Sequence, residues 1–504
     1  MIKKSLVTCY LVLCTFFSFA QKGEVALEIP MNLKSGNFGG SWYHGYLIEN
    51  PEKSKYALLA RDGAKMYLSL IHSDLKLEKN MEFPDTKDFF SDYPNFVVGY
   101  FEGTKYNFVF GNKRLRKFTM LSVDSLTQTL HQTDAEVSED DFVESIVVNG
   151  KCYLLFVRRG KSILDFYEIK SDFKVEKIEF DLSKDFSENN LSKLFRGGQK
   201  YYAVTHLSSS QPLNLFSTFS PNKLYTENNQ VVLQVGKEQK IITFDLDKHT
   251  YQLTSYKLPS FTTPFQGEAH YNSMIYKGKL YQVNAHEGEL VLSVTDLADG
   301  KVIKEHRMIG SNDKQGEPNL KNSPYYEDEG GGGYNKSGID NSKQFLRKIS
   351  NANNFTSIGG ISIAVNELTE GQLFVMIGSV KYTPPSGGGG GGMMMATGSM
   401  GTPGGSVPTY SYVRTGGMGA GSGYFQKSFY MNTMLDLNTA DYIKMNTSEL
   451  PFHHFLNEVR KQIQEDKNSD AENILKTSEG FILAYFAPMN NKFIFKRYSI
   501  KNTN

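Results

Sequence analysis

One short hairpin pattern recurs along this chain and restricts the fold more than any other feature. Its clearest copy is Ile146-Val147-Val148-Asn149-Gly150-Lys151-Cys152-Tyr153-Leu154-Leu155-Phe156-Val157, two apolar runs joined by Asn-Gly. That dipeptide accepts positive φ at both central positions of a tight turn, so it follows the right-handed twist of paired strands. From residue 41 onward, apolar runs of four to eight residues alternate with turn signals such as Asp62-Gly63, Glu102-Gly103, Lys277-Gly278 and Asp299-Gly300. Short strands at this spacing predict an all-β meander. Aligned on the second strand of each unit, Tyr56, Tyr106, Tyr153 and Tyr201 lie 50, 47 and 48 residues apart.

A period near 48 residues that carries four strands resembles the blade of a β-propeller. The copy at 142–180 contains all four, about Phe142 to Val148, Lys151 to Val157, Ser162 to Ile169 and Phe173 to Phe180. The expected units are 41–82, 95–131, 142–180, 193–258, 271–309, 356–446 and 478–500. The seventh is one or two strands short, and Glu24 to Ile29 can complete it, joining the two ends of the chain in one blade and removing a sheet edge. Six or eight blades and a two-layer sandwich are the competing arrangements. The resemblance is one of repeat form: a single tryptophan, Trp42, excludes a serial Trp-Asp signature, and no kelch or sialidase motif recurs.

The first twenty residues read as an address. Met1 to Lys4 is basic, Ser5 to Phe19 is apolar, and Ser18-Phe19-Ala20 supplies small residues before Gln21. This pattern predicts a secretory signal peptide, 1–20, followed by one propeller domain, 21–504. The apolar run is too short for a membrane span, and no later segment is a candidate. Cys9 and Cys14 would leave with the signal, so Cys152 would be the one cysteine of the mature chain, without an internal disulfide. With 55 Lys and Arg against 54 Asp and Glu, the charge gives no argument for nucleic acid. The composition resembles that of a Gram-negative envelope protein, periplasmic, surface-bound or released.

Long insertions interrupt the period at 207–239, 310–355, 383–423 and 447–479. With strands of a blade labelled a to d, b–c loops and d-to-a connections emerge on one face of an antiparallel ring, and all four insertions fall there. Residues 383–423 are Gly-rich and Met-rich. Met393, Met394, Met395, Met400, Met418, Tyr410, Tyr412 and Tyr424 are the candidate partner-binding residues, as an adaptable thioether and aromatic surface or, for the methionines, ligands to a soft ion such as Cu(I); the plainer reading is a low-complexity tether. Glu327-Asp328-Glu329 before Gly330 to Gly333 reads as a solvated loop or a site for a hard cation. Residues 451–464 have the 3.6-residue periodicity of one short helix, with Phe452, Phe455, Leu456, Val459 and Ile463 on a single face.

No catalytic motif is present. H-E-x-x-H, G-x-S-x-G and paired cysteines are missing, Gly417 to Ser422 departs from a phosphate-binding loop, and Cys152 reads as a buried inert thiol. His44, Arg196, His206, His270 and His286 lie where a propeller enzyme would gather its residues, but no catalytic role is assigned to any of them. The expectation is an exported binding or scaffold module, without a cofactor, whose partner is an unknown envelope protein or glycan. The alternative is an enzyme acting on an extracellular or periplasmic glycan or peptide at the channel mouth.

Overall fold

In a computed structural model, the described residues are 24–33, 44–49, 55–61, 65–84, 95–112, 115–124, 126–127, 129–137, 140–170, 174–186, 190–196, 204–207, 213–215, 217–227, 230–265, 268–311, 325–329, 334–336, 341–350, 358–383, 425–443, 470–477 and 480–499. They form seven sheets. An N-terminal strand, β1 (Glu24–Pro30), precedes the first sheet, which contains β2 (His44–Glu49), β3 (Lys55–Arg61), β4 (Lys65–His72) and β5 (Leu77–Pro84). The second contains β6 (Asn95–Glu102), β7 (Lys105–Gly111), β8 (Lys117–Asp124) and β9 (Leu130–Glu136), and the third β10 (Asp141–Val148), β11 (Lys151–Val157), β12 (Ile163–Ile169) and β13 (Val175–Asp181). Helix α1 (Leu191–Arg196) leads to the fourth sheet, β14 (Thr205–Leu207), β15 (Asn222–Glu227), β16 (Gln230–Val235), β17 (Lys240–Asp245) and β18 (Thr250–Ser255). The fifth is β19 (His270–Tyr276), β20 (Lys279–His286), β21 (Glu289–Asp296) and β22 (Val302–Ile309). The sixth draws on β23 (Tyr325–Glu329) and β24 (Tyr334–Lys336), then, after α2 (Ser342–Ser350), on β25 (Ile358–Thr369), β26 (Gln372–Thr383) and β27 (Phe425–Asp436). The seventh joins β28 (Asp470–Thr477), β29 (Gly480–Ala487) and β30 (Lys492–Ser499) to β1, in the order β1-β30-β29-β28. The fold is a β-propeller, and its N-terminal strand completes the sheet of the C-terminal strands, as expected.

Burial follows from this geometry. Strand b of a blade is covered on both faces by neighbouring blades, so β3, β7 and β11 are buried from their second residue onward. The outer strands β13 and β22 have one face in solvent and place buried residues among exposed ones, and β18 alternates between half-buried and exposed residues. Apolar clusters fill the spaces between sheets: Tyr56 and Phe486 join the first and seventh, Tyr46 and Phe108 the first and second, Val97 and Phe156 the second and third, and Phe166 and Phe244 the third and fourth. The largest cluster runs from Tyr225 through Tyr281 and Tyr430 to Tyr485, from the fourth sheet to the seventh. At the axis side, β2 lies against β28 and β6, β10 against β6, β14 and β15, and β19 against β25. In the Asn149-Gly150 turn both residues have positive φ, 53° and 73°, the conformation that this turn type requires.

Three expected boundaries are corrected. Residues 207–239 are not a b–c loop: they contain β15 and β16, the first two strands of the fourth blade, and the extra chain precedes them. The aromatic Tyr201, aligned as a strand-b residue, lies outside the described residues, and strand b is β16. Residues 310–355 are not simply an insertion, because β23 pairs with β27 and supplies the outer strand of the sixth sheet. The chain after β27, expected to be that outer strand, does turn back onto the same edge, but only briefly: Tyr442 bridges Leu435 and Ile443 N donates to Met434 O at 3.0 Å, while Ala440 O accepts a hydrogen bond from His306 Nε2 at 2.7 Å and the Tyr442 ring lies tilted, 4.0 Å from that imidazole. Within 447–479, residues 470–477 are β28; the expected helix at 451–464 lies outside the described residues, as do the signal segment and 384–424. The described α-helices are α1 and α2, beside two single 3-10 turns at Gly236–Glu238 and Pro488–Asn490. In α2 Asn341 caps the Gln344 N–H and Phe345, Leu346 and Ile349 are buried.

Removal of residues 24–30 should expose the outer edge of β30 and the side of Phe493 and Phe495 that faces Leu27 and Ile29. We expect a fall in melting temperature and concentration-dependent aggregation, read by thermal unfolding and light scattering; an unchanged melting profile would contradict the role given to β1.

Candidate functional site

Connections between strands are strongly asymmetric. Strands a and b are separated by two to five residues in every sheet, and the c–d turns of the first five sheets are as short, whereas the connections between successive sheets include 182–204, 310–357 and 444–469 and the b–c connection of the sixth sheet is 384–424. The ends of that last segment are adjacent, since Thr383 pairs with Phe425. All the candidate methionines and tyrosines, Met393, Met394, Met395, Met400, Tyr410, Tyr412, Met418 and Tyr424, lie outside the described residues.

The axis of the molecule is occupied by its own chain on the side of the fourth to sixth sheets. β14 pairs in parallel with β15 beyond the innermost edge of that blade, Thr205 opposite Lys223 and Leu207 opposite Tyr225. The chain then runs back antiparallel to β25. Leu213 N donates to Asn366 Oδ1 at 2.7 Å, and Asn366 Nδ2 donates to Leu213 O at 2.8 Å, so one amide side chain holds both polar atoms of a peptide unit. Ser362 Oγ donates to Leu215 O at 2.9 Å, and Asn272 Nδ2 to Phe219 O at 3.0 Å. Gly360 leaves room for Phe219: a Cβ there would sit 3.1 Å from the ring. Leu213, Leu215 and Phe219 are buried. Residues 204–207 thus pass along the inner strands in one direction and 213–215 and 217–219 in the other, filling the space as a core does.

A lysine is buried beside this segment. Lys223 has no exposed surface, and its Nζ donates to Asn272 Oδ1 at 2.6 Å. Burial pushes its amine down to about 7, because a dry site disfavours the ammonium. Asn272 connects it to the Phe219 carbonyl and to Ile361 O of β25, at 2.9 Å, so three blades and the internal segment meet at one side chain. A signal for two of these positions is present in the sequence: Ser362 and Asn366 are polar residues within the mainly apolar run of β25.

Of the residues noted as lying where an enzyme would use them, His206 is on β14, 3.4 Å from Thr226 Oγ1. His286 belongs to a separate network at the b–c end of the fifth sheet, stacked on Phe265 at 4.4 Å and edge-on to Phe261. There the buried Glu289 accepts from Thr262 N and Thr263 N, both at 2.8 Å, and from Arg307 Nη1 at 2.9 Å. Burial alone would raise its carboxyl, but the Thr263 N–H, Arg307 and the Thr262 N–H together hold it down to about 2. Its acceptors are satisfied, and the group fastens the connection 256–269 to the blade. Asp165 is used similarly in the third sheet, gripped by Arg158 at 2.8 and 3.0 Å. Cys152 is buried and its thiol is pushed up by burial, which makes it inert rather than nucleophilic. Among the described residues no group of three or more His, Cys, Asp or Glu is placed to hold a metal. Glu327, Asp328 and Glu329, expected in a loop, lie in strand β23.

No family model matches the chain, and no curated protein matches it. Solved structures share its architecture at low identity. They include the Dos1 propeller, at 10% identity and TM-score 0.28, covering 55% of this chain and 64% of that one. The dihydro-heme d1 dehydrogenase NirN follows at 11% and 0.27, covering 68% and 64%. A prolyl endopeptidase structure matches at 8% and 0.34, covering 92% of this chain and 51% of that one. This chain therefore spans less than two thirds of the length of these structures, and the likeness is one of fold.

The Lys223 amine titrates near 7 in the folded protein and near 10.5 when unfolded, so between those values the unfolded chain holds more protons and stability rises with pH. We expect Lys223→Met to raise stability at pH 7 by a few kcal/mol, roughly, and to remove that slope in denaturant titrations from pH 7 to 10. Equal slopes in the two proteins would contradict a buried neutral amine. Glu289 has the opposite sense: its contribution is complete above the unfolded carboxylate range and is lost as pH falls toward 2. Glu289→Gln should therefore lower the melting temperature at pH 7 by several degrees, a difference that narrows in acid.

Proposed function

We propose that this protein is an exported envelope binding or scaffold module that uses the face bearing its long b–c and d-to-a segments. The observation that carries this reading is the separation of two regions. The axial space beside the fourth to sixth sheets is taken by residues 204–207, 213–215 and 217–219, held by Asn272, Ser362 and Asn366, while the long segments outside the blades leave from the ends opposite the short a–b turns. A catalytic site at the channel would need open space where this segment lies; a recognition surface needs only a rigid ring with variable connections on one side. Export is part of the proposal and rests on the sequence of residues 1–20. The partner would be an envelope protein or glycan, met through the Met- and Tyr-containing segment 384–424.

Expression in a Gram-negative host should give a mature chain beginning at Gln21, read by N-terminal sequencing of the envelope fraction; a chain retaining Met1 in the cytoplasm would contradict export. In pull-downs from crosslinked envelope extract, replacement of 384–424 by a short turn should abolish retention of partners while Asn272→Ala leaves it unchanged. The reverse pattern, or turnover of glycan or peptide substrates that Asn272→Ala destroys, would support the channel as the working site instead.

A further inference from the structure

The chain that fills the axis is almost free of charge. Between Ala203 and Lys223 the single ionisable side chain is His206. Lys223 follows at once, on the innermost strand of the fourth blade, and β14 covers the axial edge of that strand. Thr205 of β14 is paired with Lys223 on one side and Gln234 of β16 on the other. An ammonium has three N–H donors to place, and among the described residues Asn272 Oδ1 is the one acceptor that the Lys223 Nζ reaches. That oxygen already accepts from Ser273 N at 2.8 Å. No carboxylate balances the amine. The ionisable side chains on the surrounding strands are His206 of β14, Tyr225 and Glu227 of its own strand, His270, Tyr271 and Tyr276 of β19, and Glu367 of β25, while β16 has none. Tyr225 and Tyr256 are bound to Gln234, Glu227 is the last residue of β15, and Glu367 is held by Lys277 at 2.6 Å, six positions beyond Ile361. His206 is half-buried with Thr226 Oγ1 as its polar contact, and loss of water lowers its imidazole as it lowers the Lys223 amine.

We propose that the axial segment, residues 204–207, 213–215 and 217–219, is a proton-released plug: uptake of a proton at Lys223, and in acid at His206, favours the state in which the segment has left β15 and β25 and water reaches the axis. The sign follows from burial. Both groups are bases, both lie on or under the segment, and neither has an acid partner, so each binds its proton more tightly once the segment has left. Release therefore grows as pH falls from the ordinary lysine value of 10.5 to about 7, where the closed form takes up the proton as well. His206 extends the trend below its ordinary 6.5. The attachments are of a kind that can be given up without dismantling a blade. β14 adds three parallel pairs outside a sheet whose four other strands are complete. The returning chain is fastened by the side chains of Asn272, Ser362 and Asn366 and not by a ladder. Burial of Leu213, Leu215 and Phe219 holds the plug closed while the amine is neutral. The plug governs access to the axis and does not depend on the role of the loop-bearing face.

The test is amide hydrogen exchange of the full chain from pH 5.5 to 9.5, read by mass spectrometry of peptides covering 204–207 and 213–219 and corrected for the pH dependence of exchange in unstructured peptides. We expect the opening constant of the segment to rise about tenfold or more from pH 9.5 to 7.5 while β3, β11 and β25 keep their protection. In Lys223→Met that rise should vanish, and Lys223→Leu provides a second apolar replacement of similar size. In His206→Gln the further rise between pH 6.5 and 5.5 should be lost while the one at higher pH remains. The series on the native chain needs no substitution. Opening that does not change with pH overturns the proposal, and so does a segment that is already unprotected at pH 9.5. A rise shared by β15 and β25 overturns it as well, because the blades would then be unfolding and no plug would be released. An equal rise in the native chain and both Lys223 variants overturns Lys223 as the group that takes up the proton.

Discussion

Burial of both faces of every sheet is the constraint on which this structure depends. A four-stranded antiparallel sheet with apolar residues on its two sides cannot be satisfied by one partner, and each sheet here packs on a neighbour at either face. Fully buried rings such as Tyr106, Tyr153, Tyr281, Tyr430 and Tyr485 lie in strands b and c, each side chain of this size contributing roughly 1.5–3 kcal/mol when removed from water. Because the driving force comes from faces, the connections are free to vary, and the outer strands are free to be polar.

Edges are managed separately from faces. The seventh sheet receives β1 from the start of the chain, and the sixth receives β23 from upstream of its own first strand. These two blades are adjacent, and each contributes only three consecutive strands of its own. Completion of this part of the molecule therefore waits on segments that are distant in sequence, β1 most of all. The inner edge has its own solution: β14 and residues 213–219 cover β15 and β25 at the axis, and side-chain amides from Asn272 and Asn366 satisfy the backbone groups that would otherwise be buried without partners.

Much of the architecture was legible in the sequence because it is local. The Asn149-Gly150 and Lys277-Gly278 turns adopt the positive φ angles that their residues favour, and the alternation of the outer strands reports their one-sided exposure. What was not legible is non-local. Nothing near Tyr325 to Glu329 indicates that these residues pair with β27, about a hundred positions onward, and the acidic run read instead as a loop. Tyr201 matched the aromatic period by composition, yet the fourth blade begins at Asn222, because the chain before it is spent inside the ring. A lysine near a strand start ordinarily marks a solvent-accessible end, as Lys55, Lys105 and Lys151 do, whereas the burial of Lys223 is created by Asn272 of the next blade and by the returning segment. The candidate residues of 384–424 have a composition and an anchoring point but no described geometry.

The account depends on residues 213–219 being part of the core rather than a loop at its mouth. Amide hydrogen exchange of the intact protein, read by mass spectrometry of peptides covering 204–221, tests this directly. We expect the amides of Leu213, Leu215 and Phe219 to exchange as slowly as those of β19 and β25, and to accelerate in Asn366→Ala. Exchange at the rate of an open connection, with β19 and β25 still protected, would contradict a filled axis and return the channel to consideration as the working site.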